Sequence, residues 1–437
     1  MAMDTPAAET GWRAALGVYL TRRQLVIFLM GFSSGLPLLL GFSTLSFWLR
    51  EADVSLAAIG GLLTVGTPYS LKFLWAPFLD HARIPGLTRL LGLRRGWLLV
   101  IQLLLVASIA FVGQADPATS LGTLAIAALV MAFLSASQDI VIDAYRIEIL
   151  DEHEQGAGAA MTQAGYRVGM LVSGAGALAL ADFISWSAVY AIMAGFVSVG
   201  ILATLIAKEP PNRRPPPPEK PLELLRHATI DPLRDFTRRE GWLLILAFVI
   251  LYRYGDAVAG AMANPFYSDL GFSGVEIASV TKVFGVLMVM VGVFAGGVMV
   301  ARFGIVWALA LGGAAQALTN LTFAWLATQG HDIEALTIAV GIDSFAGGLG
   351  SAAFVAYLSA LCNVAFTATQ YALLTSLMAF GRNTLAAISG VLAEGLGWPA
   401  FFVATTFLAV PALALLYVLH KRSPPRSSAP GVLPREP

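Results

Sequence analysis

The stretch Arg213-Arg214-Pro215-Pro216-Pro217-Pro218-Glu219-Lys220-Pro221 interrupts a chain that is otherwise a succession of long apolar runs. A proline run cannot continue a helix and favours an extended form. Charged and polar residues surround it from 208 to 240, so this segment belongs in water. Counting outward, six apolar runs precede it and six follow. A membrane-crossing helix needs about 20 apolar residues. The runs that qualify are 24–48, 56–79, 97–113, 121–145, 157–181, 187–207, 241–267, 275–300, 305–328, 333–358, 367–391 and 397–420. The sequence therefore predicts an all-α membrane protein of twelve transmembrane helices. It divides into an N-terminal six-helix half (1–207), a Pro-rich linker (208–240), a C-terminal six-helix half (241–420) and a disordered tail (421–437). In the later linker, Leu222, Leu224, Leu225, Ile230, Leu233 and Phe236 have the spacing of a short amphipathic helix on the membrane surface.

Composition agrees with this reading. Of the 437 residues 57% are hydrophobic and only 12% charged, against about 25% charged in soluble domains. The 27 basic and 27 acidic residues cancel, which gives no electrostatic ground for nucleic-acid binding. The single cysteine, Cys362, has no disulfide partner within the chain and no metal-ligand spacing around it. The five histidines fall in loops or at helix ends, so neither a metal nor a cofactor is expected. The first residues mix Asp4, Glu9 and Arg13 with alanines. The first long apolar run follows Arg22-Arg23 and reads as a retained span rather than a cleaved leader.

Basic residues set the expected orientation. Of the 27, all but six fall in the N-terminal tail, the even-to-odd loops, the linker or the C-terminal tail. The positive-inside rule then places both termini and the linker in the cytoplasm.

Nine ionisable side chains sit within the spans: Lys72, Asp139, Asp143, Arg167, Arg253, Asp256, Lys282, Asp343 and Arg382. A charge at the bilayer centre costs roughly 2.5–3.5 kcal/mol on insertion scales. Nine of them imply a water-accessible cavity between helices, where they pair with one another or meet a polar solute. The halves also echo each other: Lys72 and Lys282 lie in spans 2 and 8, Arg167 and Arg382 in spans 5 and 11. Asp139 and Asp143 lie in span 4, and Asp343 in its counterpart, span 10. Two related six-helix halves joined by a polar linker form the architecture of major facilitator transporters.

Each group admits a functional and a structural reading. Asp139 and Asp143, four apart, share a helix face. Two close carboxylates in low dielectric cannot both ionise cheaply, which suits proton binding and release; alternatively Asp143 pairs with a basic neighbour at the interface. Arg253 and Asp256, three apart within Tyr252-Arg253-Tyr254-Gly255-Asp256, either neutralise each other or face the cavity. Asp256 and Asp343 join the candidate proton-coupling groups. Arg167 and Arg382 offer forked donors that fit carboxylates, or they pair with the acidic residues to hold the halves together. Lys72 and Lys282 carry the same two readings. Among aromatics, Tyr166, Tyr252 and Tyr254 adjoin buried arginines and are expected ligand contacts, as is Gln138 beside Asp139. In the loop between spans 2 and 3, Asp80 with Arg94 and Arg95 can close a cytoplasmic gate by ion pairing, or serve as ordinary positive-inside anchors.

Several stretches carry a family resemblance. They are Gly31-Phe32-Ser33-Ser34-Gly35-Leu36-Pro37, Lys72-Phe73-Leu74-Trp75-Ala76-Pro77, Arg94-Arg95-Gly96-Trp97, Ser135-Ala136-Ser137-Gln138-Asp139-Ile140-Val141, Gly165-Tyr166-Arg167-Val168-Gly169 and Leu361-Cys362-Asn363. With Pro232-Leu233-Arg234-Asp235-Phe236 in the linker, the chain from about residue 22 to 420 resembles the AmpG family of muropeptide permeases. The resemblance implies a twelve-helix fold in the bacterial inner membrane. It implies import of N-acetylglucosaminyl-anhydro-N-acetylmuramyl peptides by proton symport. Those products feed peptidoglycan recycling and, in some bacteria, β-lactamase induction.

The expected partners are the muropeptide, protons and the lipid bilayer, with the chain acting as a monomer. A related transporter of another polar solute, of the acetyl-CoA or pigment-assembly kind, is the nearest alternative. An intramembrane prenyltransferase would need a second acidic cluster beside Asp139-x-x-x-Asp143, and Asp343 stands alone. No enzyme is expected, and no ATP-binding loop is present in the sequence.

Overall fold

The computed structural model describes residues 11–117, 119–211 and 230–422. The expectations for the proline run, the early linker and most of the C-terminal tail lie outside them. Among the described residues eleven helices are long and apolar enough to cross a membrane. A twelfth segment, interrupted, fills the remaining place. We label them in chain order: α1 (Arg22–Glu51), α2 (56–81), α3 (Leu93–Val112), α4 (Leu121–Ile149), α5 (Glu152–Ala181), α6 (Trp186–Ile206), α7 (Trp242–Asp269), α8 (Gly274–Phe303), α9 (Ile305–Gln329), α10 (Ile333–Ala360), α11 (Val364–Leu396) and α12 (Trp398–Lys421).

The exception, α2, was expected as one span. It is instead a chain of turns, Leu56–Leu62, Thr67–Leu71 and Ala76–His81, joined by tighter 3-10 turns. Gly60-Gly61, Pro68 and Pro77 lie within it. Glycine weakens a helix, and proline removes a donor and crowds the preceding turn. Neither effect lowers apolarity, so the hydropathy of the stretch does not reveal the breaks.

Elsewhere the helix starts follow from local chemistry. Thr21 accepts the Gln24 N–H at 3.3 Å to cap α1, and Ser185 caps α6 through Ala188. Ser273 and Glu276 form a capping box at the start of α8, and Asp332 accepts two amides at the start of α10. Gly304 alone separates α8 from α9, with φ of 80°. A residue with a Cβ is strained in that conformation, so glycine allows the one-residue reversal that makes these helices antiparallel neighbours.

Two seams are packed through glycine. Between α1 and α5, a methyl group on Gly35 would overlap the Tyr166 carbonyl, and one on Gly165 the Phe28 carbonyl. Between α8 and α10, Gly292 and Gly348 play the same part against Phe345 and Val289. Without a hydrophobic drive between helices in lipid, such close backbone contact is what holds them. The seams lie in different helix pairs of the two halves. Neither uses α2 or α11.

The halves meet at the end of the bundle from which the linker emerges. Arg94, fully buried, donates to Asp80 and to Glu148, both at 2.6 Å. Asp80 in turn accepts the backbone N–H of Ala368 at 3.2 Å and of Thr369 at 2.8 Å, plus the Thr369 hydroxyl at 2.7 Å. An acid of the first half thus caps a helix of the second. Nearby, Arg146 of α4 donates to Ser359 of α10 at 3.1 Å, and its guanidinium lies over the Tyr371 ring.

The end of the linker is tied to the same place. Residues 230–237 form a helix. Its Asp235 accepts from Gln370 at 2.8 Å, Asn363 at 3.0 Å and Arg239 at 3.0 Å. Burial pushes the Asp235 carboxyl up, but these three hydrogen bonds and the Arg239 charge hold it below the usual range. The exposed apolar faces of Ile230 and Leu233 agree with a surface helix.

Candidate functional site

Between the halves, beyond the sealed linker end, lie two contiguous cavities. The larger, about 550 Å³, is lined by Arg167 from α5, Arg253 and Asp256 from α7, and Arg382 from α11, with Ile250, Phe354 and Met378 as apolar wall. The smaller, about 290 Å³, shares Arg167, Arg253, Asp256 and Ser351 with it and reaches Asp343, Gln316 and Asn320. Pockets of such volume, partly apolar with a few polar groups, are the usual form of small-molecule sites.

Helix irregularities position the charges. Arg253 stands at a break in α7, with φ −111° and ψ 20°, between Trp242–Leu251 and Tyr254–Ala261. The break turns its side chain toward Asp256, and the two pair at 3.4 Å. Arg167 lies a few residues before a widened π turn at Val172–Gly176, a feature common at functional sites. Asp343 accepts from Gln316 at 2.7 Å and from Thr319 at 2.8 Å. Asp256 borders the same cavity as Gln316 and Asp343. Across the halves, Ser351 of α10 donates to Gln163 of α5 at 3.0 Å. No carboxylate among the described residues pairs with Arg167 or Arg382. Two guanidinium groups without carboxylate partners thus border one cavity and offer it forked donors.

A second polar cluster lies wholly in the first half. Asp139 of α4 accepts from the Ser34 hydroxyl of α1. The Lys72 charge acts on it, and Tyr69 and Tyr166 stand close. Lys72 and Asp139 thus influence each other electrostatically without forming one of the ion pairs among the described residues.

Several expected groupings need correction. Tyr252 does not face the cavity: its hydroxyl donates to the Leu309 carbonyl at 3.0 Å and its ring stacks on Phe354 at 4.7 Å. The α7 break at Arg253 rotates Tyr252 into the core, while Tyr254 packs half-buried on the neighbouring turn. Gln138 is fully buried against Ser33 of α1. Asp143 turns away from Asp139 toward Arg146, 3.6 Å away, so the pair is partnered separately. Lys282 is exposed and lines neither cavity. Arg95 does not join Asp80 and Arg94: it donates to the carbonyls of Thr204 and Leu205 at the end of α6. A helix C-terminus offers unpaired carbonyls to a cation, which explains the diversion.

The sequence reading missed Glu148 and Glu209. Glu148 shares Arg94 with Asp80, and Glu209 accepts the backbone N–H of Arg94 at 2.8 Å and of Arg95 at 3.0 Å. Burial pushes the Glu209 carboxyl up, against those hydrogen bonds. It missed Gln163, Gln316, Asn320 and Ser351 as well. The one available signal was Gln316 with Thr319-Asn320, three and four residues apart in an apolar run, which places polar atoms on one helix face.

Comparison with known proteins bears on this architecture. The sequence pattern of the Major Facilitator Superfamily matches residues 25–254 and again 249–436. The "Putative transporter AmpG 4" of Rickettsia felis is 38% identical over 402 residues, 92% of this chain and 97% of that protein. The "Anhydromuropeptide permease" of Escherichia coli is 40% identical over 408 residues, 93% of this chain and 81% of that protein. Among solved structures, a proton:xylose symporter of the major facilitator superfamily superposes with a TM-score of 0.64 at 15% identity, covering 93% of this chain and 96% of that one. The human organic anion transporter TETRAN gives 0.60 at 17%, covering 93% and 99%. At such identities the structural likeness speaks for the fold alone.

Proposed function

The chain belongs to the major facilitator superfamily and, within it, to the AmpG permeases, and from that membership we propose that it imports anhydromuropeptides from periplasm to cytoplasm by alternating access, coupled to protons. Its place is then the bacterial inner membrane, with both termini and the linker in the cytoplasm. The cargo serves peptidoglycan recycling.

One observation carries the reading: Arg167 from one half and Arg253 and Arg382 from the other surround a single cavity of about 550 Å³. A muropeptide carries several carboxylates on a bulky neutral disaccharide. Guanidinium groups from both halves can grip those carboxylates and draw the halves together. Asp80, backed by Arg94, and Arg146 bind the second half at the linker end, a contact that fits one end state of such a cycle. Release to the cytoplasm then requires Asp80 to leave the start of α11. Asp139 and Asp256 are the coupling groups in this scheme. Asp256 pairs with Arg253 at the cavity, so gain of a proton frees that cation for the substrate, while Asp139 sits under the Lys72 charge within the first half.

Uptake of labelled disaccharide-anhydro-muropeptide into proteoliposomes, with and without an inward proton gradient, tests the proposal. Gradient-stimulated accumulation is the expected result. No uptake by folded protein removes the muropeptide assignment and leaves the fold untouched.

A further inference from the structure

The two cavities differ in chemistry, and the difference extends the muropeptide reading, on which this inference rests. Arg167 and Arg253 border both; the larger adds Arg382 and an apolar wall of Ile250, Phe354 and Met378. The smaller presents neutral amides, Gln163, Gln316 and Asn320, with the rings of Phe323 and Phe402. Each amide keeps one buried atom without a protein partner: Gln163 Nε2, Gln316 Oε1 and Asn320 Nδ2. The far atoms of the two glutamines are held. Gln163 Oε1 accepts from Ser351 at 3.0 Å, and Gln316 Nε2 donates to Asp343 at 2.7 Å.

An unpaired buried polar atom costs about 1–3 kcal/mol. The three residues that carry such atoms line one cavity, from α5 and α9. Of the charged neighbours, Asp256 pairs with Arg253 and Asp343 accepts from Gln316 and Thr319, while Arg167 borders both cavities without a carboxylate partner among the described residues. Beside that guanidinium, the three amides offer two N–H donors and one carbonyl acceptor. An acetamido group has the complementary set: a carbonyl that accepts and an N–H that donates. Its methyl group and the attached sugar ring need an apolar surface. Phe323 and Phe402, stacked with centroids 5.4 Å apart, supply one.

We propose that Gln163, Gln316 and Asn320 form a subsite that reads the N-acetyl groups of the disaccharide, while the arginine-lined cavity takes the carboxylate-bearing peptide. The three amides set specificity for the sugar and move no proton.

The test is binding to the full-length protein in nanodiscs, measured by calorimetry. The probes are N-acetylglucosaminyl-anhydro-N-acetylmuramic acid and an analogue with hydroxyl groups in place of the acetamido groups. The native protein should prefer the acetylated sugar by about tenfold or more. Gln163→Leu and Asn320→Leu should each weaken the acetylated sugar about tenfold and the hydroxyl analogue less than about twofold. Arg382→Ala should leave that preference intact. If a leucine variant fails to fold, Asn320→Ala carries the same expectation. Equal losses for both sugars, or a preference that survives in the variants, overturns the subsite alone. A native protein that binds no muropeptide or disaccharide overturns the muropeptide reading and the subsite with it.

Discussion

Asp80 and Thr369 are held across the interface of the two halves, the carboxylate accepting both the amide N–H at 2.8 Å and the hydroxyl at 2.7 Å. Arg94 backs the carboxylate at 2.6 Å. The contact joins the last turn of α2 to the first turn of α11, and it has to break whenever the linker end opens.

Asp80→Asn should loosen that end. Removing one member of a buried charge pair costs about 3–5 kcal/mol, part of which Glu148 offsets by keeping Arg94 paired. The single cysteine reports the result. Cys362 lies in the turn between α10 and α11, with its thiol bonded to the Leu358 carbonyl at 3.2 Å and its ionisation pushed up by burial. We expect maleimide labelling of Cys362 from the linker side at least about tenfold faster in the variant. An unchanged rate would mean that Asp80 does not hold the closure.

Arg167→Ala and Arg382→Ala should weaken binding of peptide-bearing muropeptide more than of the bare disaccharide. The difference expected is about tenfold or more, the worth of a charge-assisted hydrogen bond. Titrating both compounds against each variant measures it. Equal losses would assign the arginines to architecture.

Asp139→Asn and Asp256→Asn together should abolish accumulation driven by a proton gradient while counterflow exchange of substrate persists. Proteoliposomes loaded with unlabelled substrate separate the two activities. Accumulation that survives both changes rules out these carboxylates as the coupling sites.

Asp235 gives a pH dependence with a defined sign. Its folded carboxyl is held below the unfolded value. The stabilisation it brings is therefore complete above about pH 4 and is lost as pH falls through the depressed folded value. Thermal melting followed from pH 7 downward should fall more steeply for the native protein than for Asp235→Asn. At pH 7 the variant should melt lower, because Asn363, Gln370 and Arg239 lose a charged acceptor. Parallel curves would show that the linker helix contributes nothing to stability.

The twelve positions and the buried charges were legible because apolar length and intramembrane cost are properties of single segments. What was not legible depends on rotation or on distance along the chain. Tyr252 and Tyr254 flank Arg253 equally in sequence, and only the break in α7 sends one to the core. The spacing of Gln316 and Asn320 puts them on one helix face, but nothing in the sequence brings Gln163 of α5 to the same wall. The partner of Asp80 lies 289 residues away at the start of another helix, and the residues around either end say nothing of it. Arg94 and Arg95 are adjacent in sequence, yet one faces Asp80 and the other the end of α6.

The interruptions of α2 bear on how a stroke travels. A continuous helix behaves as a rod: tilt one end and the other follows. A succession of three short α-helical pieces with 3-10 joints behaves as a linkage, each joint absorbing part of the angle. Lys72 sits at one joint and Asp80 in the final piece. The Lys72–Asp139 neighbourhood can therefore stay in register with α4 while the final piece of α2 swings away from α11. In the proposed cycle, compliance of this kind separates the timing of proton exchange from the timing of opening.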